Sequence, residues 1–187
     1  MAILRIPDEN LTITEAESIA AYLSGVGVTY ERWDAAPAPP RDASDEEVLA
    51  AYAPEVERLK SRGGYATADA VSLSPQTAGL PEMLARFRRE HWHDEDEVRF
   101  IVHGRGLFHV RPRSGPVVAI EVAAGDLLCI PSGTWHWFDL CGDMELRAVR
   151  LFQKKEGWVP YYTESGLELK YQPVCLGDSY VARPRQA

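Results

Sequence analysis

The stretch HWHDEDEVRFIVHG, residues 91–104, decides how the rest of this chain is read. It opens with His91 and His93, two residues apart, and on an extended strand side chains alternate with period two, so both imidazoles leave the same face. Such a pair is a claw for a metal ion, and Glu97 follows four residues after His93. Asp94, Glu95 and Asp96 are competing carboxylates; the spacing favours Glu97, and the other three are read as a solvated acidic turn. A further donor, His136, closes the stretch GDLLCIPSGTWH, residues 125–136, where Pro131 and Gly133 predict a turn before a fresh strand. Three neutral imidazoles and one carboxylate suit a single divalent ion. Around an octahedral metal such as iron(II), nickel(II), cobalt(II) or manganese(II), four protein donors leave two positions for a chelating substrate.

Downstream of the claw the pattern is that of β-structure. Strands are expected at 98–102 and 107–111 around a Gly104-Arg105-Gly106 turn, then at 117–122, 127–130, 135–140 and 145–152, each preceded by a Gly, Ser or Pro turn. Hairpin following hairpin without an intervening helix predicts an antiparallel sandwich or barrel. Upstream, helices are expected at 14–24, opened by capping boxes in Thr12-Ile13-Thr14-Glu15-Ala16-Glu17, and at 45–61, opened by Ser44 and Glu47. Pro54 should kink or split the second. A strand signal in VGVTYERWD is cut off by the connector AAPAPPR; a second strand is expected at 70–73, and a short helix begins at Pro81 and delivers the chain to His91. The tail beyond Glu156 gives no clear pattern.

The 187 residues, 45% of them hydrophobic, suit one domain: an extension over about 1–90, a barrel core over about 91–155, and a tail over about 156–187. No run of about 18 apolar residues and no basic-then-apolar leader occurs, so a cytoplasmic protein without membrane contact is expected. The net charge of -8 argues against nucleic acid as a partner, because phosphate contacts need clustered Lys and Arg. Cys129, Cys141 and Cys175 are an odd set without C-x-x-C spacing, and reduced thiols are the simpler reading. No heptad or apolar edge strand demands assembly, so a monomer is predicted.

Two patterns, His-x-His-x3-Glu-x6-Gly from His91 and Gly-x5-Pro-x-Gly-x2-His from Gly125, resemble the paired motifs of the cupins. The resemblance implies a mainly β fold: a jelly-roll β-barrel with the N-terminal helices packed outside it. Leu140 stands where many cupins have asparagine, a position outside the ligand set. EHWHDEDEVRFIVHGRGLFHV, AAGDLLCIPSGTWHWFDL and VRLFQKKEGWVPYYT, with GVTYERWD and GGYATADAVSL upstream, are similar to the bacterial acireductone dioxygenases, over roughly residues 25–163. Trp135 departs from the basic residue expected before the ligand histidine.

That resemblance implies a dioxygenase of methionine salvage, a route of amino-acid biosynthesis, whose substrates are O2 and the enediol 1,2-dihydroxy-3-keto-5-methylthiopentene. With iron(II) the family yields 2-keto-4-methylthiobutyrate and formate; with nickel(II) or cobalt(II) it yields methylthiopropionate, formate and carbon monoxide. One iron(II) or nickel(II) per chain is expected, with cobalt(II) or manganese(II) as alternatives, on His91, His93, Glu97 and His136. Arg99 shares strand parity with Glu97 and matches the family's site arginine, so it is the expected catalytic residue, pairing with the substrate oxyanion; an ion pair with a core carboxylate is the rival role. Phe87, Phe138, Phe152 and Trp158 are candidates for an apolar wall around the methylthio tail, although aromatics in a barrel are as often plain core. Arg150 matches a family position and is read either as support for substrate or ligand, or as a structural ion pair. His103 is expected at the rim and His109 as structural. Trp135 and Trp137 should face away from the pocket. Another cupin oxidoreductase or dioxygenase, or a non-catalytic cupin that binds a small ligand, remain the alternatives.

Overall fold

The computed structural model describes residues 1–33, 38–154 and 158–177. The connector expected at 35–41 lies partly, and Gly157 wholly, outside them. The chain opens with β1 (Ile3–Ile6), β2 (Leu11–Ile13), α1 (Ala16–Gly25) and β3 (Thr29–Arg32). Next come α2 (Asp45–Ala51), α3 (Ala53–Gly63), β4 (Thr67–Leu73) and α4 (Leu80–Phe87). The remaining strands are β5 (His91–Trp92), β6 (Glu97–Arg111), β7 (Val118–Ala123), β8 (Asp126–Ile130), β9 (Trp135–Leu140), β10 (Leu146–Phe152) and β11 (Tyr161–Tyr162).

These strands form two antiparallel layers. One runs β11-β5-β9-β6-β7-β1-β2 and the other β4-β10-β6-β8-β3. β6 belongs to both, which corrects the hairpin expected around Gly104-Arg105-Gly106: residues 97–111 are one continuous strand of 15 residues. Its first half pairs with β8 and β10, its second with β7 and β9. The glycines mark the bend between the layers. Gly104 has φ +76°, and a Cβ there would lie 2.1 Å from the Glu145 carbonyl oxygen. A Cβ on Gly106 would lie 2.4 Å from the Phe138 ring.

Both faces of β6 are covered, so its apolar pattern is denser than a half-exposed strand would need. Ile101, Phe108 and Val110 point into the barrel with Ile120, Leu128 and Ala148, closed off by Ile19 and Leu23 of α1 and Leu80 and Leu84 of α4. Val98, Phe100 and Val102 point outward and are roofed by Val48, Tyr52, Val56 and Leu59 of α2 and α3. Phe100 lies between Trp33, stacked at 4.4 Å, and Tyr52, edge-on at 4.7 Å. Burying such a side chain contributes about 1.5–3 kcal/mol. The helices therefore attach to the outside of the barrel, as expected.

Local signals held where nothing competed with them. Ser44 accepts the Glu47 amide while the Glu47 side chain accepts the Ser44 amide, a complete capping box, and the helical run splits at Tyr52 because Pro54 begins a new first turn. The box expected before α1 does not form: Thr12 is drawn into β2, paired with Arg5, and Glu15 occupies the cap position without a side-chain hydrogen bond. Reduced cysteines are also corrected. Cys141 and Cys175 form a disulfide, their Cα atoms 5.9 Å apart across a sequence separation of 34, and only Cys129 is free. That bond fastens the tail against Leu107 and Ala119 on the outside of the barrel, a proximity no local spacing reveals. Among the described residues no helix is long and apolar enough to cross a membrane.

Candidate metal centre

His91 lies on β5, His93 just beyond it, Glu97 opens β6, and His136 lies on β9 directly opposite His91. All four are buried, and a donor atom from each lies within 4.8 Å of the others. The Glu97 Oε2 is 2.9 Å from His136 Nε2 and 3.2 Å from His93 Nε2. The outer nitrogens are committed elsewhere. His91 Nδ1 donates to the Arg89 carbonyl at 2.7 Å, His93 Nδ1 to the Val159 carbonyl at 2.9 Å, and His136 Nδ1 to the Thr134 carbonyl at 2.8 Å. A carbonyl only accepts, so each Nδ1 keeps its proton and each Nε2 presents a lone pair inward. This donor set is chemically suited to a divalent cation.

Electrostatics keep His91 neutral and Glu97 ionised. Burial, with help from His136, pushes His91 down to about 4, so it stays neutral near pH 7. Burial alone would raise the Glu97 carboxyl, but the Arg99 charge and the adjoining His136 and His93 rings hold it well below its usual range. Burial acts most strongly on His93 and would lower it, but the hydrogen bond and charge of Glu97 together with the Val159 carbonyl raise it. An ionised carboxylate facing imidazole nitrogens in an interior is a strong attractor for a positive ion.

Arg99 sits beside the cluster as strand parity required, its Nε donating to Glu97 Oε1 at 2.9 Å. Its guanidinium lies over the Trp158 ring at 4.3 Å. Arg150, opposite Arg99 on β10, donates from Nε to Asp69 at 2.7 Å, so it makes an ion pair and faces the same space. That space is a cavity of about 630 Å³ lined by His91, His93, Glu97 and Arg99, by Phe87, Phe138, Phe152 and Trp158, and by Arg150. Every sequence candidate except His136 is on that lining, and His136 stands behind it against Glu97. Phe138 also meets Phe87 edge-on at 6.3 Å and Phe108 at 4.7 Å, so wall and core are continuous.

Other expectations resolve separately. His103 is half-buried, with Nε2 donating to the Pro39 carbonyl. His109 is buried on the outer face of β6, stacked on Trp137 at 4.9 Å with 6° between ring planes. Trp135 also points away from the cavity, under the Arg111 guanidinium at 4.0 Å. The acidic turn is not uniformly solvated. Asp94 is exposed beside Lys154, but Glu95 is 1% exposed and accepts the Gln153 and Lys154 amides, while Asp96 accepts from Tyr65 and the Ser132 amide. These acids fasten the turn to neighbouring loops, and their ligands lie too far along the chain to be read from spacing.

Thr67, Asp69, Arg86, Pro160 and Tyr162 also line the cavity and were not singled out in the sequence. Asp69 had one usable signal, its place in the alternating run of β4, but only the register pairs it with Arg150. Tyr162 comes from β11, which pairs with β5 opposite His91.

The ARD/ARD′ family model matches residues 7–160. An acireductone dioxygenase of Methylococcus capsulatus is 45% identical over 172 residues, covering 89% of this chain and 92% of that protein. One of Pseudomonas paraeruginosa is 46% identical over 168 residues, covering 88% and 91%, and one of Bacillus pumilus is 40% identical over 173 residues, covering 88% and 98%. Among solved structures, an acireductone dioxygenase from Bacillus anthracis with a cadmium ion in its active center has a TM-score of 0.82 and 37% identity, covering 87% of this chain and 98% of that one.

Proposed function

Because this chain belongs to the ARD/ARD′ family, the acireductone dioxygenases, we propose that it cleaves 1,2-dihydroxy-3-keto-5-methylthiopentene with O2 in methionine salvage. The observation that carries the reading is the buried cluster of His91, His93, Glu97 and His136 opening into a cavity that also holds Arg99. The fold is the cupin barrel, read as one domain: an extension over about 1–90, a core over about 91–155 and a tail. The four clustered residues are the proposed ligands of one iron(II) or nickel(II) per chain, cobalt(II) and manganese(II) being chemically compatible. Bound there, such an ion supplies Lewis acidity and a template for the two oxygens of an enediolate.

The chain's own residues do the rest. Three backbone carbonyls hold the imidazole protons on Nδ1 and so keep each Nε2 lone pair available. Arg99 gives one N–H to Glu97 and keeps the remaining donors of its fork for the anionic substrate. Arg150, neutralised in part by Asp69, adds a second positive group to the same wall. Phe87, Phe138, Phe152 and Trp158 give the methylthio end an apolar surface and exclude water from the reacting end. We propose that the enzyme works as a cytoplasmic monomer on this small-molecule substrate and O2, without nucleic acid or membrane.

The test is to strip the protein, reload it separately with iron(II) and nickel(II), and supply freshly generated acireductone and O2. The keto acid with formate is expected from the iron form, and methylthiopropionate, formate and carbon monoxide from the nickel form. Neither set of products above the uncatalysed rate would overturn the reading, and elemental analysis of protein as purified identifies the resident metal.

A further inference from the structure

Glu90 immediately precedes His91, its side chain is buried, and nothing in the chemistry above uses it. Its Oε2 accepts hydrogen bonds from Ser165 Oγ at 2.6 Å, from Arg111 Nη2 at 2.9 Å and from the Thr163 hydroxyl. Its Oε1 faces Arg111 Nε at 2.7 Å, and its backbone carbonyl accepts the Thr163 amide at 3.1 Å. Two hydroxyls of one late segment thus converge on a single buried carboxylate whose charge is balanced by the far end of β6.

That late segment carries much of the cavity. Val159 offers the carbonyl that orients His93, and Trp158 lies beneath Arg99 and donates its indole N–H to the Asp96 carbonyl at 3.0 Å. Pro160 and Tyr162 complete the lining. Yet β11 is a strand of two residues, paired with β5 only at Tyr161↔Trp92 and Tyr162↔His91. A pairing that short does not hold itself in water. Arg89 adds an exposed ion pair to Glu164 at 2.6 Å and Trp92 stacks on Tyr161 at 4.6 Å, while the Glu90 carboxylate supplies the buried attachment, at the end of the segment beyond β11.

We propose that Glu90 is a positioning residue whose carboxylate latches residues 158–165 onto β5, setting the Val159 carbonyl on His93 and the Trp158 wall of the substrate cavity. The inference rests on the metal-centre and substrate reading given above. A buried partner kept only to neutralise Arg111 would support the fold as a whole; a latch acts on the segment it holds.

Two variants of the metal-loaded enzyme separate these roles: Glu90→Gln, and Thr163→Val combined with Ser165→Ala, which leaves the Glu90–Arg111 pair intact. Hydrogen exchange followed by mass spectrometry should show amides of 158–165 exchanging about tenfold faster or more in both, while β6 to β10 exchange as in the wild type. KM for acireductone should rise about five- to tenfold with kcat within about threefold, because the wall contacts substrate and transition state alike. Wild-type exchange of 158–165 in the double variant, or an unchanged KM in it, overturns the proposal. Should Glu90→Gln fail to fold, the double variant decides alone. Should the wild type not turn over acireductone at all, the functional reading falls, and the exchange comparison still decides whether Glu90 is a latch.

Discussion

Replacing Arg99 by methionine keeps a flexible apolar stem and removes the guanidinium, which separates what Arg99 does for Glu97 from what it does for substrate. In the wild type Nε holds Glu97 Oε1 at 2.9 Å, leaving Oε2 turned toward His93 and His136. Groups that orient a metal ligand in this way change affinity by about 10- to 100-fold when removed, or about 1.4–2.7 kcal/mol. At saturating metal a second loss remains. A charge-assisted hydrogen bond to an anionic substrate is worth about 1.5–3 kcal/mol, so kcat/KM should fall a further 10- to 150-fold, roughly. Metal-free R99M should also be less stable by about 3–5 kcal/mol, since Glu97 would be left buried without its main counter-charge, and metal should restore much of that. Competition with a chromophoric chelator measures the first effect, initial rates of acireductone loss at saturating metal the second, and paired thermal melts the third. Arg99→Lys should recover charge but not the fork, giving near-normal apo stability and impaired kcat/KM. If R99M bound metal and turned over substrate within twofold of the wild type, Arg99 would be neither a ligand support nor a substrate group.

Burial and nearby Arg5 push His109 from 6.5 down to about 3, so the fold holds it neutral. The unfolded chain takes up the proton first as pH falls, so this share of stability is complete above about pH 7 and is lost through 6.5 toward 3, reaching about 2 kcal/mol by pH 5. Urea midpoints at pH 7 and pH 5 should therefore differ less in His109→Phe than in the wild type, and an equal difference would refute the assignment. Breaking the Cys141–Cys175 bond by Cys175→Ser should lower stability by about 3–4 kcal/mol from chain entropy over its separation of 34 residues, and identical urea curves for the two proteins would contradict this. Gly106→Ala would place a methyl group 2.4 Å from the Phe138 ring; destabilisation of about 1–3 kcal/mol with a raised KM for acireductone is expected, and unchanged melting and KM would show that the wall yields freely.

What was legible in the sequence is what a short stretch of chain determines. The period of a strand puts Glu97 and Arg99 side by side, a capping box forms at Ser44, and turn residues prepare the approach of His136 to the claw. Glycines were legible as punctuation but not as to kind: Gly104 and Gly106 bend a strand instead of ending it, because the partner strands that decide between the two are β7 to β10. What stayed hidden depends on through-space partners. Asp69 opposite Arg150, the Val159 carbonyl on His93, Glu95 under the Gln153 and Lys154 amides, and Cys175 against Cys141 each join segments whose separation in sequence says nothing of their distance in space.

The continuity of β6 also bears on how the chain is made. During synthesis β6 emerges with both edges open; one layer cannot close around it until β9 has followed, and the other not until β10, roughly fifty residues and a few seconds later at about 5–20 residues per second. Until those partners follow, Val98, Phe100, Ile101, Phe108 and Val110, all buried in the finished fold, lie on an incompletely paired apolar strand, the kind of segment on which nascent chains associate wrongly. The metal-binding end of that strand carries Glu97 and Arg99, which break the apolar run there as Arg105 and Arg111 do further along, so residues that equip the site also guard the strand before there is a site.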